Sequence, residues 1–260
     1  MVKAQAEAIN AVVDALLQSQ SVLFITGAGV SAESGIPTYR GIGGLYNAGT
    51  TDEGFAIEEI LSSYMLRANP ALCWKYLAQI GLAVQGAQHN RAHEIMAEME
   101  HHFDRLWVLT QNIDGFHRAA GSKNLIEVHG NLNSLSCMRC DRKVRVEEFQ
   151  ELEIPPKCPR CTALLRPDVV LFGELIDGPG IEHLQTELER GFDIVLSVGT
   201  TSVFPYIQAP LYMAQSAGKT TVEINPSQTE VSHMVDFRIQ APAAEALQAI
   251  WSEFTARQAG

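Results

Sequence analysis

The fold is decided by residues 21–35, which read SVLFITGAGVSAESG. Residues 21–26 are rich in β-branched and aromatic side chains and are apolar on both faces, a pattern typical of a strand buried in a parallel sheet. Gly27 and Gly29 follow at once, and glycine lets backbone N–H groups approach a pyrophosphate at the start of the next helix. The third glycine of the usual G-x-G-x-x-G pattern is absent, and no acid closes a second strand for the ribose, so an ordinary strand-to-helix turn remains an alternative.

Similar apolar runs recur along the rest of the chain and alternate with helical patterns. Strands are predicted at 106–109, 125–128, 194–198 and 221–224, with a weaker one at 235–239. Apolar residues at helical spacing predict helices at 3–18, 91–101, 179–190, 205–217 and 242–257. This alternation predicts an α/β fold with a Rossmann-like, doubly wound parallel sheet.

Two stretches interrupt the alternation. Residues 42–85 contain helical patterns and no convincing strand, and residues 134–168 contain four cysteines and little helical periodicity. We therefore expect a smaller module made of a helical insertion at 42–85 and a zinc-binding insertion at 134–168. The Rossmann-like domain would then comprise 1–41, 86–133 and 169–260.

The four cysteines have the spacing of a metal site. Cys137 and Cys140 form one C-x2-C pair, and Cys158 and Cys161 form a second pair after 17 intervening residues. This is the spacing of a structural zinc ribbon, in which four thiolates leave no open position for a reacting water. Two disulfides or free thiols are the alternatives.

Composition excludes several classes of function. The chain has 260 residues, 46% of them hydrophobic, and a net charge of −11, which disfavours direct binding of nucleic acid and favours a basic partner such as a lysine-rich peptide. No run approaches the ~18 apolar residues of a membrane span, and the first residues do not resemble a signal peptide. We expect a soluble, cytoplasmic protein, without long tails beyond its core and monomeric, in a reducing compartment.

Polar residues follow several of the predicted strands. They are Thr110–Asp114, Val128-His129-Gly130, Gly199–Ser202 and Asn225. Ligands of open α/β sheets bind at this carboxyl edge, and a histidine with a pKa of ~6.5 there suits general-base work. Each motif also has a structural interpretation: Asp114 as a helix cap, His129 as a packed ring, and the Gly-Thr-Thr-Ser segment as a turn.

Together and in this order, the motifs resemble the sirtuins, the NAD-dependent protein lysine deacylases, in their bacterial or archaeal form. The matching residues span 22 to 225. They are Gly27–Ser31, Gly35–Arg40, Thr110–Asp114 with His117, Val128–Gly130, the four cysteines, Arg166-Pro167, Phe172–Glu174, Gly199–Thr201 and Ile224-Asn225.

The resemblance implies that NAD is consumed as a co-substrate and that an acyl-lysine peptide binds as an added strand. The residues expected to bind NAD are Gly27, Ala28, Gly29, Ser31, Glu33, Pro37, Thr38, Tyr39, Arg40, Gln111, Asn112, Ile113, Asp114, Gly199, Thr200, Thr201 and Asn225. The residues expected to bind the acyl-lysine substrate are Val170, Leu171, Phe172, Gly173, Glu174, Tyr76 and Gln79. Cys137, Cys140, Cys158 and Cys161 would hold one structural zinc ion.

The resemblance to the sirtuins also implies a mechanism. The acyl oxygen attacks C1′ of the nicotinamide ribose, and His129 then acts as general base on a ribose hydroxyl. Asn112 would orient water or the ribose, and Asp114 would hold the nicotinamide amide. The products are free lysine, nicotinamide and O-acyl-ADP-ribose. Tyr39 stands where the family usually has phenylalanine, which alters the apolar shielding of C1′.

The acyl group is expected to be uncharged. The branch that removes acidic acyl groups reads them with a Tyr-x-x-Arg pair, and the corresponding segment here is Tyr76-Leu77-Ala78-Gln79, with Arg67 as a possible substitute. A succinyl carboxylate would lack its guanidinium partner. The rival functions are a protein ADP-ribosyltransferase and a non-catalytic NAD-binding regulator. A zinc hydrolase is disfavoured because no second set of ligands has the right spacing.

Overall fold

The computed structural model of the protein describes residues 2–36, 50–146, 148–176 and 179–259. Its helices are α1 (Val2–Leu17), α2 (Ala28–Ala32), α3 (Ile57–Ile60), α4 (Ser63–Ala68), α5 (Pro70–Gln85), α6 (Arg91–Met99), α7 (Phe116–Ala119), α8 (Pro179–Arg190), α9 (Pro205–Ser216) and α10 (Ala243–Gln258). Its strands are β1 (Ser21–Thr26), β2 (Arg105–Thr110), β3 (Leu125–Glu127), β4 (Gly130–Cys137), β5 (Lys143–Arg145), β6 (Leu165–Val169), β7 (Ile194–Val198), β8 (Thr220–Ile224) and β9 (Phe237–Ile239). None of the helices described has both the length and the apolar character needed to cross a bilayer.

Six strands form a parallel sheet in the order β3-β2-β1-β7-β8-β9. β1 lies in the middle, with Val22 opposite both Leu106 of β2 and Ile194 of β7. β7 is buried along its whole length, as a strand covered on both faces should be. The order reverses direction between β1 and β7, which is the doubly wound arrangement. The predicted fold class is confirmed.

Helices cover both faces of this sheet. Phe24 belongs to a core cluster shared with α1, α6 and α10, whereas its neighbour Ile25 belongs to a second cluster shared with α8 and α9. Successive residues of a strand point to opposite faces, so the two clusters lie on the two sides of the sheet. The helices predicted from periodicity supply both layers.

A third core lies outside the sheet. It combines side chains of α3, α4 and α5 with those of the antiparallel sheet β5-β4-β6 and is centred on Trp74, whose Nε1–H donates to the Leu165 carbonyl at 3.0 Å. Both predicted insertions thus contribute to one small hydrophobic unit, called here the small module. Its sheet runs from Gly130 to Val169, slightly beyond the predicted 134–168. The domain boundaries themselves stay a prediction.

Gly130 joins β3 to the small module and follows His129 directly. Its φ is +81°, and a Cβ atom there would overlap the Asp168 carbonyl oxygen of the adjacent strand. We expect Gly130→Ala to lower the free energy of unfolding by roughly 2–4 kcal/mol, because left-handed backbone strain and a backbone clash add together. Urea denaturation measures the change.

The matched control is Gly191→Ala. Gly191 has a φ of +71° but open space around the position of a Cβ atom, so this variant carries the backbone strain without the clash. Equal losses of stability in the two variants would show that the approach of Asp168 to Gly130 costs nothing.

Candidate active site

The turns after β1 and β7 meet where the strand order reverses. The Gly29 N–H donates to the Gly199 carbonyl at 2.8 Å. A Cβ atom on Gly27 would lie 2.7 Å from Thr200 Cβ, and one on Gly29 would lie 2.7 Å from the Gly199 oxygen. Both glycines are therefore needed for the packing of the two turns against each other, a role that the sequence pattern alone does not reveal. This junction is the place where open α/β sheets bind nucleotides.

A hydrogen-bonded group of polar side chains lies beside the first turn. Asn112 Nδ2 donates to the Gly27 carbonyl and to Ser31 Oγ, each at 3.1 Å. Ser31 Oγ donates in turn to Asp114 Oδ2 at 2.7 Å. Three residues predicted to bind NAD are thus brought together at the carboxyl edge.

Asp114 caps α7 and also contacts Ser31, while its role towards nicotinamide stays a prediction. Its Oδ1 accepts from the Phe116 N–H at the start of α7, at 2.9 Å, while Oδ2 faces Ser31. Burial raises the pKa of the Asp114 carboxyl above its usual range, although these two hydrogen bonds oppose the shift. The side chain is a helix cap and part of the polar group at once.

A second group is centred on Thr200. Gln111 Nε2 donates to Thr200 Oγ1 at 2.8 Å, and Asn225 Nδ2 donates to the Thr200 carbonyl at 3.2 Å. Residues that follow β2, β7 and β8 therefore converge, as their positions at strand ends predict. Of the other predicted residues here, Thr201 is exposed and Ile113 packs against the core of the small module.

His129 lies at the same edge. Its Nδ1 is 2.9 Å from the Gln111 carbonyl oxygen, and its Nε2 is 2.6 Å from the Tyr206 hydroxyl. A carbonyl can only accept, so Nδ1 carries the proton of the neutral ring and Nε2 keeps its lone pair. Burial lowers the pKa of His129 below its ordinary value, against the opposing effect of the Gln111 carbonyl. At neutral pH the ring is therefore a base whose accepting atom is Nε2.

Two further histidines lie beneath this edge. His117 Nε2 is 2.9 Å from Thr26 Oγ1, and the His93 ring lies 4.8 Å from the His117 ring between centroids. Burial lowers the pKa of both imidazoles, that of His93 to about 4, so both are neutral. No sequence motif indicated His93. It lies three residues after Asn90, the residue that caps the start of α6.

Glu33, which is predicted to bind NAD, lies apart from these groups. The Glu33 carboxylate is exposed and accepts from the Ala244 N–H at 2.7 Å, in the first turn of α10. The structure therefore gives Glu33 a capping role and does not group it with Ser31 and Asn112. Pro37, Thr38, Tyr39 and Arg40 fall outside the described residues.

The predicted peptide-binding segment, Val170–Glu174, leaves β6 and passes His129. The Val170 N–H donates to the His129 carbonyl at 2.9 Å, and Phe172 exchanges backbone hydrogen bonds with Leu61 and Ser63. Glu174 forms a two-pronged ion pair with Arg166, at 2.7 and 2.8 Å, which pulls the segment back towards β6. A peptide that pairs with this segment as an added strand would have to use the edge of the segment that faces away from residues 61–63.

Tyr76 and Gln79 do not share one environment. Tyr76 is buried in the small module, and its hydroxyl donates to Glu53 Oε2 at 2.6 Å, whereas Gln79 is exposed. Hydrogen bonds from Lys75 and Tyr76 lower the pKa of Glu53 to about 2. The Tyr76 hydroxyl is therefore already hydrogen-bonded to an ionised carboxylate, that of Glu53.

The four cysteines cluster as their spacing predicts. Their sulfur atoms all lie within 4.8 Å of one another, with Cys137–Cys161 at 3.4 Å and Cys140–Cys158 at 3.7 Å. Zn–S bonds of about 2.3 Å in a tetrahedron place sulfurs about 3.8 Å apart, whereas a disulfide needs about 2.05 Å. Backbone N–H groups of Arg139 and Cys140 also point at Cys137 Sγ, which stabilises a thiolate. The donor set fits a structural zinc ion.

Comparison with known proteins places these observations in one family. The Sir2 family model matches residues 27–205. NAD-dependent protein deacylase 2 of Pseudomonas aeruginosa is 49% identical over 247 residues, which cover 94% of this chain and 96% of that protein. A solved complex of a Sir2 homologue with NAD is 32% identical, with a TM-score of 0.86 over 95% of this chain and 94% of that one. A Sir2–p53 peptide–NAD+ complex is 27% identical, with a TM-score of 0.82 over 95% and 99%. The chain belongs to the Sir2 family.

Proposed function

We propose that this protein removes acyl groups from protein lysines at the expense of NAD. The observation that carries the proposal is the position of His129: a neutral imidazole with an accepting Nε2 lies beside the polar residues of the nucleotide-binding edge. The Pseudomonas relative is an NAD-dependent protein deacylase, and related solved structures hold NAD, ADP-ribose or a peptide. Both lines of support point to the same chemistry.

Bound NAD supplies an electrophilic ribose carbon, C1′, from which nicotinamide can leave. The two turns at Gly27 and Gly199 would hold the dinucleotide at the switch point of the sheet. Asn112 is fixed by the Gly27 carbonyl and Ser31, so its amide is oriented before ligand enters. Asp114 lies next in this group and would accept from an amide N–H. His129 Nε2 would take the proton of a ribose hydroxyl.

The substrate partner would be an acyl-lysine peptide added as a strand beside Val170–Glu174. Strand addition relies on backbone hydrogen bonds and so tolerates many peptide sequences. Phe172 and Leu175 are exposed there, 41% and 86%, and offer apolar surface to side chains of the peptide. A cytoplasmic location and a monomeric state stay predictions.

Uncharged acyl groups should be preferred. An acyl carboxylate that reached Tyr76 would meet Glu53, which is ionised because the pKa of its carboxyl is about 2. We expect butyryl-lysine to be hydrolysed at least about tenfold faster than succinyl-lysine, which is similar in length but carries a charge. Rates with the two peptides at equal concentration measure the ratio.

Glu53→Gln provides a matched test of this preference. It keeps a hydrogen-bond acceptor for Tyr76 and removes the negative charge, so the ratio of butyryl to succinyl rates should fall. Faster hydrolysis of succinyl-lysine by the unmodified enzyme would contradict the proposed preference, while deacylation itself would stand.

Release of nicotinamide tests the proposed function. The purified protein is incubated with NAD and either an acetyl-lysine peptide or the same peptide with free lysine. Nicotinamide should appear only with the acetylated peptide. Equal release with both peptides would indicate simple NAD hydrolysis and would refute the proposal.

A further inference from the structure

Tyr206 stands out at the active-site edge because no motif of the sequence pointed to it. It lies in the first turn of α9, shortly after the Gly199–Ser202 turn, and is half-buried. Its hydroxyl is 2.6 Å from His129 Nε2. The nitrogen that must accept a proton in the proposed reaction therefore already has a partner.

The aromatic ring of Tyr206 is held in place by Phe204. The two rings are stacked, with centroids 5.6 Å apart and an interplanar angle of 16°. Phe204 also meets the His129 ring edge-on, at 6.3 Å and 89°. This stacking places the Tyr206 ring so that its hydroxyl oxygen lies next to Nε2.

The direction of the hydrogen bond follows from the other side of the imidazole. Because Nδ1 donates its proton to the Gln111 carbonyl, Nε2 of the neutral ring is an acceptor and the Tyr206 hydroxyl must donate. Burial raises the pKa of Tyr206 to about 12, so the phenol keeps its proton at neutral pH. A hydrogen bond donated to the neutral imidazole favours that form over the imidazolium.

We propose that Tyr206 is a positioning residue for His129: its hydroxyl donates to Nε2 and so helps to hold the neutral imidazole in the Nδ1–H form that the Gln111 carbonyl requires. Its value for catalysis rests on the proposed function. When a substrate hydroxyl gives its proton to Nε2, it takes the place of the Tyr206 O–H at the Nε2 lone pair, and the new Nε2–H stays hydrogen-bonded to the substrate oxygen. The phenol keeps its proton throughout, and the imidazolium keeps a hydrogen bond at each nitrogen.

Few other groups can set the pKa of His129. The Tyr206 phenol faces it from α9, and the Gln111 carbonyl faces it from the end of β2. Within the described ranges, no charged side chain contributes to the lowered pKa of His129. The loss of the phenol donor should therefore be visible in the titration of the imidazole.

The test is Tyr206→Phe, which keeps the stacked ring and removes the hydroxyl. In the ligand-free protein, the pKa of His129 followed by NMR should rise by about half to one pH unit, with the signal assigned by its loss in His129→Asn. The acidic limb of the kcat/KM profile should move to higher pH by the same amount. Tyr212→Phe is the control, because Tyr212 lies on the same helix and is 46% exposed.

An unchanged or lowered pKa of His129 in Tyr206→Phe would overturn the proposal. The unmodified protein gives a second test that needs no variant: nitrogen chemical shifts should identify the Nδ1–H tautomer, and an Nε2–H tautomer would also overturn it. Neither the titration of His129 nor the nitrogen chemical shifts require a substrate. A failure of the proposed deacylation would show itself separately, as absent nicotinamide release by the unmodified protein.

Discussion

His129→Ala should slow the removal of acyl groups by roughly 10²- to 10⁴-fold, the usual contribution of a positioned general base. The imidazole is a basic group at the carboxyl edge whose accepting atom is Nε2, because Nδ1 is committed to the Gln111 carbonyl. Formation of the deacylated peptide, followed by mass spectrometry, measures the loss. Cleavage of the nicotinamide bond comes before the step that needs the base, so nicotinamide release in a single turnover should fall less.

His101→Ala is the matched control, since His101 is exposed at the end of the α6 segment, away from the sheet edge. Its activity should equal that of the unmodified enzyme. Retention of more than about a tenth of the activity in His129→Ala would contradict the role given to this residue.

Loss of zinc should be the most damaging change to stability. Apparent binding free energies of structural zinc are about 10–16 kcal/mol in small zinc domains, as large as the whole stability of a typical protein. The four cysteines pack into the core of the small module, together with Leu135 and Leu165. We expect Cys158→Ser to unfold the small module and to abolish deacylation, because the Val170–Glu174 segment is anchored there through Leu61 and Ser63.

Hydrogen exchange of the small module and the zinc content per chain measure this effect. Cys73→Ala is the control, because Cys73 is buried in the same core but lies outside the sulfur cluster. It should bind one zinc per chain and lose only a modest amount of stability. A chelated protein that kept the exchange protection of its small module would show that the four sulfurs do not need a metal.

Much of this architecture could be predicted because its signals are local. β1 and β7 are near-continuous apolar runs, which parallel strands covered on both faces require. The two C-x2-C pairs predict their own clustering, since four thiolates at that spacing suit one tetrahedral ion. Asn112 and Gly199 were placed at one edge because each follows a strand, and parallel strands end at a common edge.

The features that could not be predicted from the sequence depend on contacts between residues that are far apart in the chain. The hydroxyl of Tyr206 reaches a histidine 77 residues away through a helix that starts after another strand. Glu33 lies within a matching motif, yet its carboxylate meets α10, 211 residues further along. Tyr76 and Gln79 are one helical turn apart, but the packing of α5 buries the first and exposes the second. No local pattern encodes such partners.

The most direct measurement of the central claim is the stoichiometry of products from an acetyl-lysine peptide and NAD. Deacylation with His129 as the base predicts equal amounts of nicotinamide, free-lysine peptide and O-acetyl-ADP-ribose, resolved by mass spectrometry. A peptide that keeps its acetyl group and gains ADP-ribose, or nicotinamide that appears without any free lysine, would contradict the account.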